Sequence, residues 1–306
     1  MIIDLPGTTA AAVGAALARA RRSEGASTVA AALTLLVAVS ERGADAAIAV
    51  ASDAAREHPC RILVVIPRAP SANTKLDASI HARGPGETVT LRLYGSLGEH
   101  ADSVVLPLLL PDTPVVLWWP SEAPDNPGES VLGRLAGRRI TDATTAAKPL
   151  GALELRARTY SPGDTDFAWS RITPWRATLA AALDHGFDPV RSIEVSGATG
   201  NPSVPLLGAW LSNRLDAAVT IHATRGPGIT GVVLRSDHGQ IALTRPDGRR
   251  ASLERTGSPA RLVALSRRSD AECLAEELRR LDPDEPYAES VATVSTLARS
   301  RTRRRT

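Results

Sequence analysis

Residues 32–66 read ALTLLVAVSERGADAAIAVASDAAREHPCRILVVI. Ala32 to Val39 is a nearly continuous apolar run, the pattern of a strand buried on both faces. Gly43 to Arg56 is rich in alanine and predicts a helix, which His58-Pro59 stops. Arg61 to Ile66 is a second buried strand. Strand, helix and strand in that order predict a parallel pair joined by a crossover helix. The fold class read from this unit is α/β.

Working outward, Asp4-Leu5-Pro6-Gly7 leads to Thr8 or Thr9, either of which caps a helix through Val13 and Leu17 to about Arg22. Downstream, Leu76, Ala78, Ile80 and Ala82 alternate, as do Val89, Leu91 and Leu93. Gly84-Pro85-Gly86 joins them into an antiparallel hairpin. Leu97 to Leu110 predicts a helix that Pro107 bends or ends. Pro114 to Trp119 is an apolar strand ending in two tryptophans, followed by a proline-rich loop over 120–128. Val131 to Ala136 reads as a short helix and Arg138 to Asp142 as a strand at a sheet edge. Residues 1–159 are thus expected to form a mixed α/β sheet domain carrying helices.

Residues 160–176, YSPGDTDFAWSRITPWR, concentrate aromatic and charged side chains in a chain that is only 3% aromatic. Either Asp164 caps a helix with Trp169, Ile172, Trp175, Leu179 and Leu183 as its stripe, or Thr173 caps one that has Pro174 in its first position. Residues 160–188 are expected to connect the two domains. After them, Ile193 to Val195 is a strand and Pro205 to Leu215 a helix. Ala217 to Thr224, Gly231 to Arg235, Gln240 to Arg245 and Arg250 to Arg255 read as an antiparallel meander with turns at Asp237-His238-Gly239 and Pro246-Asp247-Gly248. Amphipathic helices follow at Ser269 to Leu281 and from Pro286. Residues 189–298 form the expected α+β C-terminal domain, and 299–306 a disordered arginine-rich tail.

The 306 residues carry a net charge of +3. Five arginines (299, 301, 303, 304, 305) lie at the very end, and removing those five positive charges leaves −2 for the rest. The basic balance is therefore a property of the tail and marks no basic groove, so no nucleic-acid partner is expected. No apolar run approaches the ~20 residues of a membrane span, and no signal peptide is seen, so a cytoplasmic protein without a membrane partner is expected. Cys60 and Cys273 match no metal spacing and read as reduced thiols.

The chemistry-bearing residues point away from catalysis. Asp164-x-Asp166 has the form of a metal-binding acidic pair, but two acids at a helix start are also favourable there, and the second reading is preferred. The six histidines are scattered singly, and no nucleophile elbow or phosphate-binding loop occurs. No catalytic residue, metal or cofactor is expected. Arg138, Arg139 and Arg171 have the forked geometry that takes phosphate, which leaves a sugar-phosphate-binding enzyme or sensor as an alternative. They equally suit pairing with Asp142, Asp164 or Asp166. Trp118, Trp119, Trp169 and Trp175 read as interface anchors, with Arg138, Arg139, Arg171, Asp164 and Asp166 orienting a partner.

Several long strings recur in order in one family. They are MIIDLPGTT at the start, EHPCRILVVIPR at 57–68, LPLLLPDTPVVLWWP at 106–120, RRITDAT at 138–144, YSPGDTDFAWSRITPWRATLAAALD at 160–184 and ECLAEELRRLDPDEPY at 272–287. On these the chain resembles the glucose-6-phosphate dehydrogenase assembly protein OpcA family over nearly its whole length. The resemblance implies an N-terminal and a C-terminal domain. It also implies a non-catalytic partner that assembles or allosterically activates glucose-6-phosphate dehydrogenase, the enzyme that opens the oxidative pentose phosphate pathway and makes NADPH. Thiol redox state regulates the pairing in some relatives, and Cys60 and Cys273 are the only positions here that could serve.

Overall fold

A computed structural model of the chain describes residues 2–24, 31–68, 73–82, 87–184 and 186–303. The expected Gly84-Pro85-Gly86 turn, His185 and the last three residues of the tail lie outside them. The chain divides into two compact units that are not contiguous in sequence. The first takes Met1–Asp142, Gly163–Thr165 and Asp270–Pro283; the second takes Ala143–Pro162, Asp166–Ser269 and Asp284–Thr306.

The first unit opens with β1 (Ile2–Thr8), read above as a lead-in, and α1 (Ala10–Glu24). Thr9 Oγ1 accepts from Ala12 N at 3.2 Å, which makes Thr9 the cap. The decisive stretch folds as expected: β2 (Leu33–Ala38), α2 (Ala44–Ala54) and β3 (Cys60–Pro67), with β2 and β3 parallel and in register from Leu33 against Cys60. β4 (Lys75–Ala82) and β5 (Glu87–Tyr94) form the antiparallel hairpin. The expected 97–110 helix is broken. Its only α-helical part is α3 (Ala101–Val105), flanked by 3₁₀ turns at Gly95–Gly98 and Leu106–Leu108, because Pro107 has no N–H to continue it. β6 (Val115–Trp118) follows; the expected 131–136 helix is a single 3₁₀ turn at Gly133–Leu135; then comes β7 (Arg138–Thr141). Arg138 to Thr141 is not at an edge. It lies between β6 and the short β8 (Asp164–Asp166), and all four of its residues are buried.

The sheet runs β1-β4-β5-β3-β2-β6-β7-β8. β5, β3, β2, β6 and β7 are mutually parallel, while β4 and β1 add an antiparallel margin. In chain order, the six strands from β5 to β8 follow 3-2-1-4-5-6, the doubly wound arrangement of dinucleotide-binding domains. One core packs Leu36, Leu63, Val65, Leu91 and Leu117 with Val13 and Leu17 of α1 and with Trp119.

In the second unit, α4 (Pro149–Thr159) precedes a single turn, α5 (Phe167–Ser170), and α6 (Thr173–Leu183). The second of the two readings of residues 160–176 therefore holds, one residue displaced: Ile172 takes the cap position and Pro174 lies in the first turn. β9 (Ser192–Ala198), α7 (Ser203–Leu215) and β10 (Ala218–Thr224) make a second parallel strand–helix–strand unit. This corrects the expectation that Ala217 to Thr224 belongs to the meander. β11 (Ile229–Arg235), β12 (Gln240–Thr244), β13 (Ala251–Arg255) and β14 (Ser258–Val263) are the antiparallel meander itself, and the sheet runs β10-β9-β11-β12-β13-β14. α8 (Asp270–Arg279) belongs to the first unit, where it packs on α2. α9 (Glu285–Arg303) belongs to the second and packs on α4 and α7. The expected disordered tail is helical through Arg303.

Candidate partner-binding site

The residues singled out as partner anchors separate into two groups, one in each unit. In the first unit, Trp118 and Trp119 are 2% and 6% exposed and belong to the interior. Arg138 is equally buried. Its Nε donates to Glu277 Oε2 at 3.1 Å, its Nη2 makes a shorter contact with the same oxygen, and its Nη1 donates to Asp282 O at 2.9 Å. Thr165 Oγ1 donates to the other Glu277 oxygen at 3.3 Å. Arg139 pairs with Asp164 and donates to Ala136 O at 2.7 Å. Both guanidinium groups are thus engaged by a carboxylate and a carbonyl. That is how a buried charge is tolerated. Gly163 is required beside them: at φ +94°, its missing Cβ would sit 2.1 Å from Gly137 O.

In the second unit, Asp166 is fully buried and works as a cap. Its Oδ1 accepts from Ala168 N and its Oδ2 from Ala143 N, both at 2.9 Å. Asp164 and Asp166 therefore serve different partners. No group of three or more His, Cys, Asp or Glu residues is placed to hold a metal among the described residues. Trp169 Nε1 donates to Asp284 Oδ2 at 2.9 Å, and the other Asp284 oxygen accepts from Tyr287 N at the start of α9. The Trp169 and Tyr287 rings stand 5.8 Å apart, and the Arg176 guanidinium lies 3.7 Å from the Trp169 ring centre. Trp175 is 1% exposed, with Arg245 stacked 5.1 Å from it. Arg171, half-buried, lies over Phe167 and donates to Thr144 Oγ1 at 3.1 Å. The four tryptophans read as anchors are all interior side chains. The carboxylate Glu277, central to the first group, was not singled out from the sequence. Its signal was an acid four residues after Cys273 and next to Leu278, on the apolar stripe of its helix.

Cys60 and Cys273 are both buried and are not joined in a disulfide. Burial pushes the Cys60 thiol up to about 12, so it stays protonated and a poor nucleophile at neutral pH. The stability it adds is complete below the ordinary thiol value of 9.0 and is lost as pH rises toward about 12.

A contrasting surface lies at the free edge of the second sheet. Among the described residues β14 pairs only with β13, and Leu262 on it is 81% exposed. Beside it a cavity of about 380 Å³ has an apolar lining from Ala182, Ile241, Leu253 and Pro259, together with Arg255 and Arg261. Exposed edge backbone, a large exposed leucine and an apolar hollow with arginines are what a protein partner uses.

Residues 51–158 match the family described as glucose-6-phosphate dehydrogenase subunit N-terminal domain, and residues 162–291 match its C-terminal domain. A protein of Synechococcus elongatus that carries the name OxPP cycle protein OpcA is 26% identical over an alignment of 253 residues that covers 72% of this chain and 54% of that protein. The chain thus spans about half the length of the curated relative it matches. Among solved structures, a 3-ketoreductase from Actinomadura kijaniata, crystallised with TDP-benzene and NADP, superposes with a TM-score of 0.50 at 12% identity, over 88% of this chain and 97% of that one. At that identity the likeness is one of fold. No helix among the described residues is long and apolar enough to cross a membrane.

Proposed function

The chain belongs to the glucose-6-phosphate dehydrogenase assembly protein OpcA family, and on that premise we propose that it is a non-catalytic assembly factor and allosteric activator of glucose-6-phosphate dehydrogenase. The observation that carries this reading is the match to both domains of that family, in order, in one chain. In this reading the chain works in the cytoplasm and supports NADPH supply through the pentose phosphate pathway. The mechanism is linkage: a partner that binds the active form of an enzyme better than the inactive form shifts the population by its difference in affinity.

The buried residues and the half-buried Arg171 keep an indirect part. Trp118, Trp119, Arg138, Arg139 and Asp164 fix the interior of one unit; Asp166, Trp169, Arg171 and Trp175 fix that of the other. They set the shape of the surface the dehydrogenase meets. The β14 edge with Leu262 supplies the contact. The sugar-phosphate alternative loses its main support, because Arg138 and Arg139 already hold Glu277 and Asp164.

Mixed with the dehydrogenase of its own organism, the chain should co-elute on a sizing column. Leu262→Glu should weaken that co-elution tenfold or more, about 1.4 kcal/mol, while leaving the thermal midpoint of the chain within a degree or two. A variant that co-elutes as the parent does would remove β14 from the contact. Loss of co-elution together with loss of folding would leave the edge without support.

A further inference from the structure

The strand order of the first unit carries an expectation of its own. In a doubly wound sheet the ligand lies outside the carboxyl ends of the strands, at the point where strand order reverses, here between β2 and β6. Its diphosphate rests on the amino end of the helix after the first strand, over a turn with three glycines that let the phosphates come close. The residues in that position are Val39-Ser40-Glu41-Arg42-Gly43, ahead of α2.

These residues do not fit a dinucleotide. The turn has one glycine, and a Cβ on it would stand 3.0 Å from Val39 Cγ2, so Gly43 serves the turn's own packing. A carboxylate, Glu41, occupies the turn. It is held from two sides by cations at the carboxyl ends of neighbouring strands. Arg92 of β5 donates Nε at 3.0 Å and Nη2 at 2.8 Å, and Arg68, directly after β3, donates Nη1 at 2.8 Å. The hydrogen bonds from Arg92 foremost, opposed by some desolvation and aided by Arg68, hold the Glu41 carboxyl below its ordinary range. A diphosphate brought to this turn would meet a fixed negative charge and two arginines already committed to it. Across the switch point β6 ends on Trp118, followed by Trp119, both buried.

We propose that the nucleotide crevice of this fold is closed from within, Glu41 standing as a tethered anion against Arg68 and Arg92, and that the chain carries no dinucleotide. All three side chains are about a third exposed, so the cluster is within reach of solutes once Glu41 is gone. Removing the tethered anion should convert the crevice into a site for a free one.

Isothermal titration of the full chain with NADP and with inorganic pyrophosphate tests this. The parent chain should show no saturable heat with either. Glu41→Ala should bind pyrophosphate at least about tenfold more tightly than the parent, since two forked cations regain an anion. The isosteric Glu41→Gln, which perturbs folding least, should gain in the same direction. Saturable NADP binding by the parent chain would overturn the proposal. So would folded Glu41 variants that gain nothing for pyrophosphate. Neither outcome touches co-elution with the dehydrogenase, so the assembly reading stands or falls separately.

Discussion

Glu277→Ala should destabilise the first unit by about 3–5 kcal/mol, because it leaves the buried Arg138 guanidinium without its carboxylate. Arg138 and Glu277 are 3% and 2% exposed. Their pairing joins β7 to α8, which arrives from 139 residues further along the chain. Thr165 would lose an acceptor as well. The double variant Arg138→Met, Glu277→Leu removes both charges and fills the space with apolar atoms, so it should recover most of the loss. Urea unfolding followed by circular dichroism reads both. A loss under about 1 kcal/mol for Glu277→Ala would mean that the pair is not the tie between α8 and the sheet.

Trp169→Ala should cost the second unit about 3–5 kcal/mol, the range for truncating a buried large aromatic residue. The ring is 1% exposed, packs against Tyr287 and carries Arg176 on its face. Its N–H also ties α5 to the cap of α9 through Asp284. Trp169→Phe separates the two contributions. It keeps most of the packing but takes the donor from Asp284, and should cost about 1–2 kcal/mol. Equal losses for the two variants would assign the whole effect to the hydrogen bond and would contradict a packing role for the indole.

Both tests fall on residues whose types were legible in the sequence but whose settings were not. The apolar runs at β2, β3 and β6 announced themselves because strands buried on both faces leave no polar alternation to misread. β1 and β14 went unread for the opposite reason: Pro6-Gly7 and Pro259 look like turn residues, and an edge strand is one of the few places where a sheet tolerates proline. Hydrophobic period carries no direction, so β10 was placed in the meander although β9, α7 and β10 repeat the grammar of β2, α2 and β3. An amphipathic stripe says that a helix is covered, not by what. α8 thus turned out to belong with residues far upstream. Local density also misled at 160–176. Rings and arginines crowded together fit an interface, and they fit equally well a chain segment whose side chains are buried. Aromatic–arginine clusters have the same composition in both settings, and only burial separates them.

The function proposed for this chain is to raise the activity of glucose-6-phosphate dehydrogenase by binding it. The most direct measurement is the dehydrogenase rate of the same organism's enzyme as the chain is titrated in, with the complex followed in parallel on a sizing column. The rate should climb and saturate at the ratio of the co-eluting complex, in reducing and oxidising buffer alike, since Cys60 and Cys273 are both buried. A flat rate with no co-elution in either buffer would contradict it.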